Sequence, residues 1–234
     1  MLDILYRDSV LASVDKPPGL LVHRTGLDAG ERHFALQMLR DQLGQPVWPA
    51  HRLDKGTSGV LLFALDAGTA RTLGQSFENG VRMRKTYRAM VRGWPADAGL
   101  IDHPLRRMPD DRRHEREEVQ AAVTRYRTLV RYELPLAQGR FAGTRCALVE
   151  LEPETGRRHQ LRRHLKHIAH PVIGDATHGK GPLNRDIAGL LGRQRLWLHA
   201  CRLELVHPLT GQTLVIEAAP GAEWHAWTPW LSPS

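Results

Sequence analysis

The stretch HRLDKGTSGVLLFA, residues 51–64, joins a polar turn to a continuous apolar run. Residues 60–65 are all apolar, a pattern typical of a short strand that is buried on both faces. The turn before this run holds one carboxylate, Asp54, between Arg52 and Lys55 in a chain whose net charge is +8. Aspartate near glycine is common in turns, where its side chain binds nearby backbone groups. Asp54 is therefore either a turn residue or an acid held for chemistry, and the local sequence leaves both interpretations open.

Short strands dominate the rest of the chain. Apolar runs predict further strands at residues 10–14, 124–134, 146–151, 199–206 and 213–218. We expect a helix after Asp66, which can cap it, and surface loops at residues 106–120 and 178–195. Few strands are separated by the regular helices of βαβ units. We therefore predict one α+β domain over residues 1–234, with a mixed, mainly antiparallel β-sheet and flanking helices and loops.

The composition is that of a globular protein, with 41% hydrophobic and 25% charged residues. No apolar run approaches the ~20 residues of a membrane span, and the opening MLDILYRDSV lacks the basic and apolar regions of a signal peptide. Cys146 and Cys201 lie in apolar, strand-like contexts, which favour buried free thiols over a disulfide. We expect a cytoplasmic monomer without membrane attachment.

The excess of basic residues, 33 Lys and Arg against 25 Asp and Glu, suggests a polyanionic partner. Phosphate backbones attract basic surfaces and release counterions when they bind. Many basic proteins bind no nucleic acid, so the charge alone does not decide between RNA binding and other functions.

The most densely polar segment is ETGRRHQLRRHLKHIAHPVIGD, residues 154–175. Its apolar residues recur at helical spacing, at Leu161, Leu165 and Ile168. This spacing predicts a helix that begins near Arg158 and is ended by Pro171. Arg162 then points about 100° away from Leu161, which places it at the rim of the packed face. Three more basic residues are expected to face solvent or phosphate: Arg158, Arg163 and Lys166.

Four histidines of this segment raise the question of a metal site: His159, His164, His167 and His170. Their spacing is poor for a metal, since no HExxH or paired CxxC accompanies them. The sequence also lacks a GxSxG nucleophile turn, a Walker loop and a GxGxxG after a strand. We therefore predict neither a metal nor a cofactor.

Alternation in KTYRAMVRG, residues 85–93, separates two faces of a strand, and Lys85 shares a face with Tyr87. A tyrosine on a strand usually packs in a sheet core, and the pattern alone favours that interpretation.

Three segments, HRLDKGTSGVLLFA, KTYRAMVRG and TGRRHQLRRHLKHIAHPVIGD, resemble in order and spacing the three motifs of the RluA family of pseudouridine synthases. The resemblance covers essentially the whole chain and implies the family's catalytic fold, here without an S4-type domain in front. It implies that Asp54 is the catalytic aspartate, that Tyr87 packs on the target base and that Arg162 pairs with the aspartate. It also assigns Arg52 to holding the everted nucleotide and Lys85 to substrate binding.

The resemblance implies isomerisation of a uridine in RNA, in which the N1–C1′ bond breaks and a C5–C1′ bond forms without redox change. The aspartate acts either as a nucleophile at C1′ or as a base at C2′, and the sequence leaves both routes open. Burial raises the pKa of a carboxylate, and a nearby arginine opposes that effect. The likeness is greatest to members that act on tRNA, at the uridine numbered U65 where the acceptor and T stems meet. Ribosomal RNA is the alternative substrate, and a non-catalytic RNA-binding protein is the alternative class.

Overall fold

A computed structural model describes residues 1–23, 30–79, 83–108 and 118–232 of the protein. In chain order its strands are β1 (Asp3–Arg7), β2 (Leu11–Lys16), β3 (Trp48–Pro49), β4 (Ser58–Ala64), β5 (Met83–Arg92), β6 (Ala98–Asp102), β7 (Leu105–Arg106), β8 (Val119–Gln120), β9 (Val123–Leu134), β10 (Thr144–Pro153), β11 (Leu198–Val206) and β12 (Thr213–Glu217). Its helices are α1 (Ala35–Leu43), α2 (Ala67–Asn79), α3 (Gln160–His167) and α4 (Gly181–Leu191), and a 3-10 helix covers Ala222–Trp230.

The chain divides into two compact units. The first unit comprises Met1–Lys85, Arg106–Gln120 and Ala200–Ala219. The second unit comprises Thr86–Leu105, Ala121–His199 and Pro220–Ser234. Strands and helices occur together in each, and the strand pairings described below are antiparallel, which confirms the predicted α+β class with a mainly antiparallel sheet.

In the first unit, β2 pairs with β1 and β4, β3 pairs with β4, and β11 pairs with β12. All seven residues of β4 are buried, as its continuous apolar run predicts. Val60 and Leu62 share one core cluster with Leu73 of α2 and Leu203 of β11. The strand that follows the Asp54 turn is therefore held between neighbours on both sides.

Gly59 is the second residue of β4 and has no room for a side chain. Its φ is +106°, in the region that favours glycine, and an added Cβ would lie 2.2 Å from the backbone oxygen of Ala200. The last glycine of HRLDKGTSG is thus required by the close approach of the neighbouring strand.

The predicted cap of α2 is confirmed. The backbone N–H of Thr69 donates to Asp66 Oδ1 at 2.8 Å, and its hydroxyl donates to Oδ2 at 2.7 Å. Asp66 therefore satisfies a backbone donor that the first helical turn leaves open.

In the second unit, β10 pairs with β5 and β9, and β9 pairs with β6. The two faces of β5 enter different core clusters, as the alternation predicts. Ala89 and Val91 belong to one cluster, with Tyr87 packed against it, and Met90 belongs to another. Tyr87 therefore lies on the face of β5 that also packs against α3, through Leu161.

The prediction of a loop at residues 178–195 was wrong, because α4 lies within it. Proline in the first turn presets the backbone angle, and Leu183 and Ile187 bury one face at helical spacing. Gly192, with a φ of +64°, ends the helix in the left-handed conformation. The glycines and basic residues that suggested a loop therefore mark the helix ends and the exposed face.

Two other boundaries also differ from the prediction. Helix α3 begins at Gln160 rather than near Arg158, and it ends at His167, before Ala169 adopts a φ of +65° and well before Pro171. The stretch 106–120 is not wholly loop, since β7 and β8 pair at its ends. Its residues 109–117 lie outside the described part of the chain.

Neither cysteine is part of a disulfide, as predicted; Cys146 is buried, whereas Cys201 is only half-buried. Burial raises the pKa of the Cys146 thiol to about 12. Within the described ranges, helices long and apolar enough to cross a membrane are absent.

Candidate active site

Asp54 occupies a tight turn directly before β4. The backbone N–H of Thr57 donates to the backbone oxygen of Asp54 at 3.0 Å, which closes the turn. Leu53, Thr57 and Ser58 around it are buried, whereas Asp54 is half-buried and Arg52 is exposed. Because this turn hydrogen bond uses the backbone of residue 54, it does not itself require a carboxylate there. The turn interpretation is correct for the backbone, and it is compatible with a chemical role for the side chain.

Lys16 anchors this turn through a hydrogen bond to the backbone of Lys55, a role that the sequence pattern did not reveal. Its side chain is fully buried, and its ammonium donates to the backbone oxygens of Pro17, Leu20 and Lys55 at 2.9, 2.8 and 3.2 Å. The backbone N–H of Gly19 also donates to the Lys55 oxygen, at 2.8 Å. The buried charge is thus solvated by carbonyls and holds the residue after Asp54 in place.

His51, at the start of the stretch, is held as a neutral ring. The backbone N–H of Leu62 donates to its Nε2 at 3.2 Å, so this nitrogen acts as an acceptor. The ring stacks on Phe77, with centroids 4.8 Å apart. Burial, aided by the charge of Lys85, lowers the pKa of His51 to about 3. The neutral imidazole therefore ties the chain segment before Asp54 to β4 through Leu62 and to α2 through Phe77.

We expect His51 to make folding sensitive to mild acid. Unfolded histidine binds a proton below about pH 6.5, whereas folded His51 does so only near pH 3, so stability is lost as the pH falls between these values. The loss is at most about 1.4 kcal/mol per pH unit. Unfolding titrations of the wild type and of His51→Gln at several pH values measure it, with exposed His33→Gln as the control. Equal pH slopes in the wild type and His51→Gln would contradict the neutral state of the half-buried ring.

Lys85 lies in the same unit as His51 and Asp54. Its ammonium is 5.9 Å from the centroid of the Phe77 ring, within the range of a cation–π contact. Burial lowers the pKa of this lysine, because desolvation disfavours the charged form. A half-buried cation with a hydrocarbon stem along β5 is suited to contact a nucleotide phosphate or base edge.

Tyr87 lies in the second unit, opposite Leu151 of β10. It packs against the cluster that contains Leu161 and Leu165 of α3, yet it remains half-buried. The sequence pattern favoured a tyrosine packed in the sheet core, and the structure confirms this for the part of the side chain that contacts the cluster. The partial exposure is what a stacking role requires in addition.

Gln160 fixes the start of α3 and was also missed. Its side-chain oxygen accepts from the Thr155 hydroxyl at 2.7 Å and the Arg157 N–H at 3.0 Å. Its amide nitrogen donates to the Val123 oxygen and to the Thr124 hydroxyl, both at 3.0 Å. One buried amide thus ties the N-terminus of α3 to β9 and sets the orientation of the helix that carries Arg162.

Arg162 is buried rather than placed at a rim, because a buried acid faces it. Its Nε and Nη2 donate to Asp175 Oδ2 and Oδ1, both at 2.7 Å. The Arg162 residue is 7% exposed and Asp175 1%. This parallel two-point geometry fixes the plane of the guanidinium as well as its position.

Asp175 is held by more than its ion pair. Backbone N–H groups of Thr177 and His178 donate to its Oδ1 at 2.9 and 2.8 Å. Burial alone would raise the pKa of this carboxyl, but the hydrogen bonds and the charge of Arg162 outweigh it and leave the pKa below its ordinary value. Asp175 is therefore ionised at neutral pH and balances the Arg162 charge.

Asn184 of α4 locks the loop that carries Asp175. Its side-chain oxygen accepts from the Gly174 N–H at 2.9 Å, and its amide nitrogen donates to the Asp175 backbone oxygen at 3.0 Å. Gly174 has a φ of +78°, and an added Cβ would lie 1.7 Å from the Arg195 backbone oxygen. The glycine in the HPVIGD segment is required by this packing.

The remaining basic residues and histidines of the segment all lie in the second unit. Arg158 and Lys166 are exposed, and Arg163 is half-buried, with its pKa lowered by burial. His159 Nδ1 lies 3.1 Å from His178 Nε2, and His164 is buried between Thr124 and the backbone oxygen of His103. Of the residues that the structure describes, no three His, Cys, Asp or Glu side chains converge as metal ligands.

The predicted site residues fall on both units of the chain. Arg52, Asp54 and Lys85 belong to the first, and Tyr87 to the second. The residues of α3 and its lead-in also belong to the second: Arg158, Arg162, Arg163 and Lys166. The first unit holds Asp54 in a hydrogen-bonded turn, and the second holds Arg162 fixed by the buried Asp175.

The model of the RNA pseudouridylate synthase family matches residues 10–167, a span that includes Asp54, Tyr87 and Arg162. The chain belongs to this family, as a member of the RluA type, and it is an enzyme that isomerises uridine to pseudouridine. The alternative of a non-catalytic RNA-binding protein is thereby set aside.

Two curated relatives carry the name tRNA pseudouridine synthase C. The Vibrio cholerae protein is 49% identical, and the aligned region covers 96% of this chain and 93% of that protein. The Salmonella typhi protein is 50% identical over 96% of this chain and 87% of its own length.

Solved structures confirm the fold. Human RNA pseudouridylate synthase domain containing 1 has a TM-score of 0.72 at 26% identity, covering 94% of this chain and 84% of its own. Human RNA pseudouridylate synthase domain containing 4 has the same TM-score at 27% identity, covering 99% of this chain and 94% of its own. The pseudouridine synthase fold expected from the three sequence segments is therefore confirmed.

Proposed function

We propose that the protein converts one uridine of tRNA, U65 at the junction of the acceptor and T stems, to pseudouridine. The observation that carries the proposal is the 49–50% identity, over 96% of the chain, to proteins named tRNA pseudouridine synthase C. The net charge of +8 suits a phosphate-rich partner. A stem uridine in A-form RNA has to be found by shape and phosphate positions, because the deep groove hides its base edges from side chains.

We assign the chemistry to Asp54, whose carboxylate attacks C1′ or removes a proton at C2′. Tyr87 offers a ring face to uracil, and the family resemblance assigns Arg162 to pairing with the aspartate. Arg52 and Lys85 contact the nucleotide. The joint action of these residues rests on the family resemblance, and the anchoring described above supplies the rigidity that such chemistry needs.

The reaction itself explains why these groups suffice. The N1–C1′ bond breaks and C5 joins C1′, while C5 gives up a proton and N1 gains one, so no electrons are exchanged with a partner. The target base first has to leave its helix, at a cost of a few kcal/mol. Contacts of basic side chains with phosphates are the natural source of compensation.

Asp175 is a positioning residue in this scheme. It does not need to touch the substrate, because its buried, bidentate ion pair with Arg162 fixes the orientation of the guanidinium. The arginine is thus oriented by an acid thirteen residues later in the chain, and not by the helix alone.

Incubation of the purified protein with tRNA and, separately, with protein-free ribosomal RNA tests the substrate. Mapping of pseudouridine in both is expected to show a single new site in tRNA, at U65. Modification of ribosomal RNA alone would overturn the tRNA assignment and favour the alternative substrate.

We expect the basic residues of α3 and its lead-in, Arg158, Arg163 and Lys166, to set the salt dependence of tRNA binding by neutralising phosphates. The triple variant Arg158→Gln, Arg163→Gln, Lys166→Gln should make log K fall less steeply with log salt. The steepness should decrease by roughly 0.7–0.9 for each phosphate that the variant leaves unneutralised, and KM should rise. Binding titrations over a range of salt concentrations measure the slope.

A matched control removes the same charge elsewhere. Arg7, Arg40 and Arg71 are exposed arginines of the first unit, and their replacement by glutamine should leave the salt slope close to that of the wild type. Equal effects of the two triple variants would mean that general charge, and not the α3 surface, determines binding.

A further inference from the structure

Two histidines of the second unit stack face to face. The ring centroids of His103, between β6 and β7, and His167, at the end of α3, are 3.6 Å apart, with an interplanar angle of 14°. His103 is half-buried and His167 is exposed. A close parallel stack of imidazoles is unfavourable when both rings are charged, since the two positive charges repel.

The backbone of His103 is fixed, so the stack is preorganised. Its N–H donates to the Ala122 oxygen at 3.2 Å, and its oxygen accepts from His164 Nε2 at 3.0 Å. His164 is fully buried, with its Nδ1 2.9 Å from the Thr124 hydroxyl. His164 thus holds the backbone of His103 in place beside α3.

The surroundings of the stack are predominantly basic. Burial lowers the pKa of His164, and the charges of His103, His167 and Arg163 lower it further. On α3, Arg163 lies one turn before His167, and Lys166 is adjacent and exposed. Along the chain near His103, Asp102 is an exposed acid and Arg106 is an exposed base.

We propose that the His103–His167 stack binds a phosphate of the RNA substrate and takes up a proton as it does so. An anion beside the rings offsets the repulsion of a second positive charge, so binding and protonation favour each other. The inference rests on the proposed function, since it assumes that the bound polyanion is the RNA substrate.

The test measures the affinity of the full chain for folded tRNA from pH 5.5 to 8 at constant ionic strength. The wild-type Kd is expected to fall as the pH falls, by at most tenfold per pH unit for one proton. His167→Asn should flatten this pH dependence. It should also reduce the steepness with which log K falls with log salt by about 0.7–0.9, the value of one phosphate contact. His103→Asn should do the same, and the exposed His225→Asn in the same unit should behave as the wild type.

Wild-type affinity that does not change with pH, or a pH dependence that survives in both stack variants, would overturn the proposal. Pseudouridine mapping of wild-type reactions reports on the proposed function separately. Absence of pseudouridine in tRNA would contradict that function, whereas the pH series decides the role of the histidine stack.

Discussion

Replacement of Asp54 by asparagine is expected to abolish pseudouridine formation while tRNA binding stays near the wild-type level. Asparagine keeps the size of the side chain and the backbone hydrogen bond to Thr57, so the turn should persist. Only the reacting charge is removed, and removal of such a group affects the rate far more than the affinity. We expect single-turnover rates to fall by at least about three orders of magnitude. Rates with excess enzyme and tRNA binding titrations measure the two effects separately.

The matched control is Asp66→Asn, twelve residues later in the same unit. Asp66 caps α2, and asparagine is an equally good cap, so activity should be unchanged. If Asp54→Asn kept about a tenth of wild-type activity, the activation barrier would have risen by only about 1.4 kcal/mol. That result would contradict the catalytic assignment.

The second large effect is expected at the buried pair of α3. Arg162→Lys keeps a positive charge but loses the two-point geometry with Asp175, and Asp175→Asn leaves the arginine without its counter-charge. Both changes should lower kcat by about 100-fold through misplacement of the charge, with a smaller change in KM. Steady-state kinetics provide the measurement, and the exposed Arg127–Glu150 pair provides the control through Arg127→Lys. Losses confined to KM would contradict a positioning role.

The same pair is expected to contribute to stability in a pH-dependent way. Breaking a buried ion pair by removing one partner typically costs 3–5 kcal/mol, so we expect an effect of about that size for Asp175→Asn at neutral pH. The folded pKa of Asp175 is below its ordinary value, so its contribution is present above about pH 4 and is lost as the pH falls through the folded value. Denaturant titrations should therefore show the wild type and the variant converging in acid. A difference that stays constant down to low pH would contradict the ionised pair.

Much of the fold follows from local patterns in the sequence. The apolar run of β4 and the alternation of β5 each depend on side chains that repeat at strand period, so both were predictable. The cap at Asp66 likewise needs only residues within one helical turn. Helix α4 was missed because its apolar face is short and is surrounded by glycine and basic residues, while its stability depends on burying Leu183 and Ile187.

The residues that anchor the site were harder to predict, because their partners are distant in the chain. The buried ammonium of Lys16 binds a carbonyl 39 residues away, and Gln160 binds Val123 and Thr124 across 37 and 36 residues. The pair of Arg162 and Asp175 spans a helix end and a loop, and residue spacing alone does not show that the two meet. Sequence patterns indicated which groups could react, and the tertiary structure shows what holds them.

The central claim is that this chain makes pseudouridine in tRNA by means of Asp54. Its most direct test maps pseudouridine in total RNA from cells that lack the gene and carry either the wild-type protein or Asp54→Asn. We predict that the wild type restores one pseudouridine in tRNA, at U65, and that the variant expressed at the same level restores none. Restoration by the variant, or the same tRNA profile with and without the wild-type protein, would contradict the claim.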